Sequence, residues 1–125
     1  MNPTLIVERE GAVLTLRLNR PDKKNALTRE MYSCLAQALE QADADVCVHA
    51  VLICGSAECF TSGNDIADFL EQPPTDMQSP VFRFMRSLLA CRKPVVAAVA
   101  GAAVGIGTTL LLHCDLVYVS HDARL

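Results

Sequence analysis

Two segments of the chain, FTSGNDI (60–66) and GAAVGIG (101–107), carry small residues directly after apolar runs. Their chemistry is backbone chemistry. Small residues let main-chain N–H groups approach a ligand, and GAAVGIG also opens a helical pattern whose first N–H groups are free. Two N–H groups from separate loops, aimed at one point, make an oxyanion hole. Each such donor is worth about 3–4 kcal/mol when negative charge develops on a carbonyl oxygen. Taken singly, either segment also reads as a plain turn.

The nearby side chains add little reactive chemistry. Asp65 and Asp68 lie near the first segment, and Asp65 reads as a loop or helix cap rather than a base. Ser62 lacks recognisable histidine and acid partners for a nucleophile's role. The six cysteines include no C-x-x-C pair and mostly lie in apolar runs, so they read as small core residues, not a disulfide framework. His49, His113 and His121 show no metal-ligand spacing, so no metal is expected. The glycine spacing G-x-x-x-G-x-G in 101–107 departs from the dinucleotide fingerprint G-x-G-x-x-G.

Both segments need buried strands before them. VCVHAVLICG (46–55) and PVVAAVAG (94–101) are continuous apolar runs of that kind. Upstream, TLIVERE and AVLTLRLNRP flank Gly11; Leu14, Leu16 and Leu18 alternate with Thr15, Arg17 and Asn19, which predicts a hairpin. Thr28 is placed to cap a helix running to about Asp43, with Met31, Cys34, Leu35, Ala38, Leu39 and Ala42 as its stripe. Ser79 and Pro80 open a second helix with Val81, Phe84, Met85, Leu88 and Cys91 inward. AVGIGTTLLLHC predicts a turn into a buried helix, and DLVYVS another strand. The order β-β-α-β-loop-α-β-α-β predicts an α/β layered fold.

At 125 residues and 51% apolar, the chain has the size and core of one domain. A net charge of −3 disfavours a general nucleic-acid binder. The longest apolar stretch, from Pro94 to Asp115, is broken by three glycines and two threonines, so it reads as strand, turn and helix rather than a membrane span. The start, MNPTLIVERE, lacks the basic and apolar regions of a signal peptide, and a cytoplasmic location is expected. The apolar pattern still runs near Leu125, so the sequence reads as cut off inside a domain.

In sequence, LNRPDKKNAL, FTSGNDI, KPVVAAVAGAAVGIG and CDLVYVS together resemble the crotonase superfamily, the enoyl-CoA hydratase and isomerase group. The resemblance runs from about residue 5 to the end and matches the N-terminal half of a family member. It implies a spiral of ββα units, with residues 1–125 the N-terminal part of one crotonase-like domain. It implies that the loop Asp22 to Ala26 touches coenzyme A, with Lys23 and Lys24 placed for its phosphates. It places one oxyanion donor on the Ser62 N–H and the second on the Ile106 N–H. The stretch Ser62, Gly63, Asn64, Asp65 and Ile66 would flank the adenine and the thioester. Coenzyme A then enters as part of the substrate, with no separate cofactor. Trimers or paired trimers are the implied assembly.

One departure bears on the reaction. Hydratases of the group carry a glutamate on the helix after the second motif, and Thr109 stands at the matching position. A threonine is not a general base near neutral pH. The motif is closer in style to the isomerase branch, whose carboxylate lies further along the chain. An acyl-CoA isomerase is therefore expected, with a hydratase, or a CoA-binding module without chemistry, as alternatives.

Overall fold

The computed structural model describes residues 3–125. Met1 and Asn2, part of the start read above for a leader, lie outside the described residues. Strands β1 (Leu5–Glu10) and β2 (Val13–Leu18) form the expected antiparallel hairpin, in register from Leu5 opposite Leu18 to Glu10 opposite Val13. Gly11, at φ +62°, supplies the turn. The alternation holds: Leu16 and Leu18 are buried, and Arg17 is exposed.

Three more strands extend this sheet in parallel: β3 (Ala50–Cys54) on β2, β5 (Val95–Val99) on β3, and β7 (Leu116–Val119) on β5. The sheet order is β1-β2-β3-β5-β7. Parallel neighbours need long crossovers, and helices supply them. Helix α1 (Arg29–Ala44) crosses from β2 to β3, and α3 (Pro80–Ala90) returns the chain to β5.

Thr28 caps α1 as expected, its hydroxyl accepting the Met31 N–H at 3.2 Å. The buried stripe of α1 takes in Tyr32 and Ala36, whereas Cys34 is exposed. The stripe turns this way because α1 packs against α3 as well as the sheet. Tyr32 meets Phe84 with ring centroids 5.6 Å apart, and Arg83 on α3 holds Glu40 at 2.7 Å. On α3, Pro80 opens the helix as expected, but Ser79 does not cap it; its hydroxyl donates to the Asp76 carbonyl at 2.7 Å.

The structure departs from the predicted elements in three further places. The run VCVHAVLICG is a strand only from Ala50; before it, the Asp45 carboxylate accepts the Cys47 N–H at 2.8 Å and bends the chain into a turn. The helix after the second motif is short. Helix α4 covers Ile106–Thr109, a 3-10 segment follows over Leu110–His113, and Leu112 is 81% exposed. Finally, the sequence pattern left out a helix, α2 (Ile66–Glu71), and two short strands, β4 (Cys59–Thr61) and β6 (Ala102–Ala103), which pair in parallel as a second sheet. Among the described residues no helix is long and apolar enough to cross a membrane.

Candidate active site

The two motif segments meet at the end of the sheet, and glycines set how closely. After β3, Gly55 turns the chain so tightly that a Cβ there would lie 2.5 Å from the Cys59 carbonyl oxygen. After β5, Gly101 (φ +69°) lies against the same turn; its Cβ would fall 1.9 Å from the Glu58 carbonyl oxygen. Beyond them β4 and β6 pair, and the Val104 N–H donates to the Thr61 carbonyl at 3.0 Å. Two further contacts follow. A Cβ on Gly63 (φ +96°) would sit 3.0 Å from the Val104 oxygen, and one on Gly107 would sit 2.5 Å from Thr61 Cγ2. The segments are thus packed together at 63 against 104 and at 61 against 107.

Tracing each N–H shows which ones this packing leaves free. The Ser62 N–H donates to the Lys24 carbonyl at 3.0 Å. It is spent inside the fold, which corrects the expectation that it faces a ligand. The Gly63 N–H goes to Thr61 Oγ1 at 3.1 Å, and the Asp65 N–H to the Leu27 carbonyl at 2.9 Å. The Asn64 N–H has no acceptor among the described residues. The geometry gives the reason. Asn64 bridges Leu27 in parallel fashion, with both bonds made by its neighbours Gly63 and Asp65, so its own N–H points away from Leu27.

In the second segment, the N–H groups of Gly107, Thr108 and Thr109 close the first turn of α4 on Val104 and Gly105. The N–H of Ile106, the first residue of α4, has no acceptor among the described residues, as expected of a helix start. Asn64 and Ile106 therefore carry unpartnered backbone donors on two loops in direct contact.

The basic loop is fastened to the first of these segments. Residues Pro21–Lys23 form a 3-10 turn, and Lys24 and Asn25 follow with φ of 51° and 57°. Asn25 tolerates that left-handed backbone and is 1% exposed. Its side chain accepts the Arg20 N–H at 2.7 Å and donates to the Cys59 and Phe60 carbonyls, each at 3.1 Å. Asp22, Lys23 and Lys24 are left exposed, while Ala26 is half-buried with its carbonyl held by Arg20 at 3.0 Å.

The carboxylates beside the site are committed. Asp65 caps α2 by accepting the Asp68 N–H at 2.9 Å and pairs with Arg20 at 2.8 Å. These contacts hold its carboxyl below the usual carboxylate range. Asp68 in turn accepts the Arg29 N–H at 2.8 Å. Ile66, the first residue of α2, is exposed. Thr109 is exposed, its hydroxyl 3.4 Å from the Ile106 carbonyl, and no carboxylate lies on α4.

A cavity of about 340 Å³ adjoins the first segment, lined among others by Tyr32, Asn64, Asp68, Phe69, Pro80 and Val81. The Tyr32 hydroxyl donates to Asn64 Oδ1, and burial raises its pKa above that of an ordinary tyrosine. Sequence reasoning missed Tyr32 and Arg20 as neighbours of the site. Arg20 lies two residues past the end of β2, and the apolar spacing of α1 hides Tyr32 among core residues.

The Enoyl-CoA hydratase/isomerase family model matches residues 8–125. The chain belongs to the enoyl-CoA hydratase/isomerase family. It is 37% identical to human enoyl-CoA delta isomerase 2, over 96% of this chain and 32% of that protein. It is 34% identical to a probable enoyl-CoA hydratase of Mycobacterium bovis, over 97% of this chain and 48% of that one. Among solved structures it superposes on Pseudomonas aeruginosa OdaA with a TM-score of 0.96 and 65% identity, covering 99% of this chain and 50% of that chain. The expected crotonase-type α/β fold is thereby established. The chain spans half or less of the length of these hydratase/isomerase relatives.

Proposed function

We propose that the full-length protein is an enoyl-CoA isomerase that holds a thioester enolate between the backbone N–H groups of Asn64 and Ile106. The observation that carries this reading is the pair of unpartnered N–H groups on two loops packed against each other. Such donors favour the enolate oxygen over the neutral carbonyl, which lowers the barrier to removing the α-proton. In the reaction, a carboxylate takes the α-proton from a 3-enoyl thioester. The electron pair moves onto the thioester oxygen, and the proton returns at the γ-carbon to give the 2-enoyl product. Beside the two donors Asp65 and Asp68 are engaged and α4 has no carboxylate, so this reading assigns the base to a carboxylate outside the 125 residues.

Thr109 favours isomerase over hydratase, since hydration needs an acid–base pair acting on water and Thr109 supplies no base. Relatives of both kinds exist, so hydratase is the second reading. The exposed Lys23 and Lys24 are suited to coenzyme A phosphates as mobile point charges. The substrate brings the coenzyme A, and no separate cofactor enters. A cytoplasmic homo-oligomer, a trimer or hexamer, is the matching assembly.

The test is to offer the full-length protein 3-hexenoyl-CoA and 2-hexenoyl-CoA in separate assays. Conversion of the first to the 2-enoyl thioester is expected. Faster hydration of the second than isomerisation of the first would overturn the isomerase reading.

A further inference from the structure

The side chain of Asn64 does something its backbone does not. Its Oδ1 accepts the Tyr32 hydroxyl, which sits between α1 and the cavity. That hydroxyl is the donor of the pair: it is largely buried, stays protonated, and has no other acceptor among the described residues. Oxygen is turned to Tyr32, so the Nδ2 group is turned away from it. Nδ2 donates to nothing among the described residues, and Asn64 is exposed on the cavity wall.

The two carboxylates nearest Asn64 in the same cavity are engaged. Asp65 is paired with Arg20 at 2.8 Å, and Asp68 holds the Arg29 backbone N–H at 2.8 Å and its Nε at 3.4 Å. The rest of the wall mixes apolar Phe69, Pro80 and Val81 with polar Gln72, Thr75 and Gln78. The part of the cavity beside the proposed thioester donor therefore offers apolar surface together with the Asn64 Nδ2 donor, which is turned away from Tyr32.

We propose that Asn64 Nδ2, oriented by Tyr32, selects acyl groups that carry a hydrogen-bond acceptor oxygen close to the thioester. This rests on the reading of the Asn64 N–H as a thioester donor. Both donors belong to one residue, and four covalent bonds separate them, so they lie within about 5 Å of each other. With the thioester oxygen on one, the other reaches only the first few acyl carbons. A hydroxyl or carbonyl oxygen there gains a partner. A plain alkyl chain leaves the amide without water or ligand and is disfavoured. Tyr32 acts here as a positioning residue, since it touches Asn64 and not the acyl group.

The experiment is calorimetric binding of butanoyl-CoA, 3-hydroxybutanoyl-CoA and 4-hydroxybutanoyl-CoA to the full-length protein and to Tyr32→Phe and Asn64→Ala. At least one hydroxylated ester is expected to bind the unaltered protein about five- to tenfold tighter than butanoyl-CoA. Both variants are expected to bring that ratio near one. General loosening of the fold weakens all three ligands together and leaves the ratio alone, so the ratio isolates the orienting role. Should Tyr32→Phe fail to fold, Asn64→Ala, at an exposed site, reads the same ratio. Equal affinity for all three esters in the unaltered protein overturns this inference alone. A ratio that survives in a folded variant overturns it too. No binding of any CoA ester overturns it together with the proposed function.

Discussion

The hydroxyl of Thr61 donates to the Asn25 carbonyl at 2.6 Å and accepts the Gly63 N–H at 3.1 Å. One buried side chain thus ties the basic loop to the segment that presents Asn64. Thr61→Val keeps the shape and removes the hydroxyl, leaving a buried acceptor and a buried donor unmet. A loss of about 1–3 kcal/mol is expected. Denaturant unfolding measures it, and a loss under about 0.5 kcal/mol would show that these groups find other partners.

Ile106→Pro deletes one proposed donor with little disturbance of the backbone. Ile106 is the first residue of α4, where proline is well tolerated, and the preceding residue is glycine. A fall in kcat of about 10²- to 10³-fold is expected. The thermal midpoint should fall modestly, because the Ile106 side chain packs partly against the core. Unchanged turnover in the full-length isomerase assay would remove Ile106 from the site.

Replacing Lys23 and Lys24 together with alanine and glycine removes both exposed charges, and glycine suits the left-handed backbone at 24. Affinity for any CoA ester is expected to fall about three- to thirtyfold at low salt. The dependence of affinity on salt should flatten as well. Equal salt slopes for the two proteins would place the phosphates elsewhere.

Asp65 makes stability depend on pH in a defined direction. Its folded-state pKa is depressed by the Asp68 N–H first and by Arg20 second. The stabilisation it provides is therefore complete above the ordinary aspartate value of about 4 and is lost as pH falls through the lower folded value. Asp65→Asn keeps a capping oxygen but does not titrate. Melting curves from neutral to acid pH should fall less steeply for Asp65→Asn below about pH 4. Parallel curves would mean that ionisation of Asp65 contributes nothing.

Thr109→Ala tests the position where hydratases carry a base. Among the described residues its hydroxyl reaches only the Ile106 carbonyl, at 3.4 Å. Isomerisation by the full-length protein should persist within about threefold, the effect of a lost weak local bond. Complete loss of turnover would return Thr109 to the chemistry.

How much of this was legible in the sequence follows from what each signal depends on. The Leu14, Leu16 and Leu18 alternation and the Thr28 cap are local patterns, and both appear in the structure. The Ser62 assignment failed because neighbours in the sequence do not reveal which N–H a distant carbonyl will take. Lys24 claims that of Ser62, and Leu27 sets the bridge that turns Asn64 outward. Helix α2 was hidden for another reason. Its Ile66, Phe69 and Leu70 are exposed, so it buries no stripe that would announce it. The apolar run of 106–114 overstated its helix because a 3-10 segment replaces the α-turns from Leu110.

The parallel register of the sheet carries a kinetic consequence. Only β1 and β2 are joined by a tight turn; Val51 must find Val95, and Val13 must find Ala50, across whole crossovers. Distant pairings cost closure entropy before they return any contact. The hairpin and α1 can form from nearby sequence, whereas the meeting of Gly63 with Val104 and of Thr61 with Gly107 must wait for β3 and β5 to align. The pair of donors at Asn64 and Ile106 is thus expected among the last features to assemble as the chain folds, so that competence to bind a thioester reports that folding is complete.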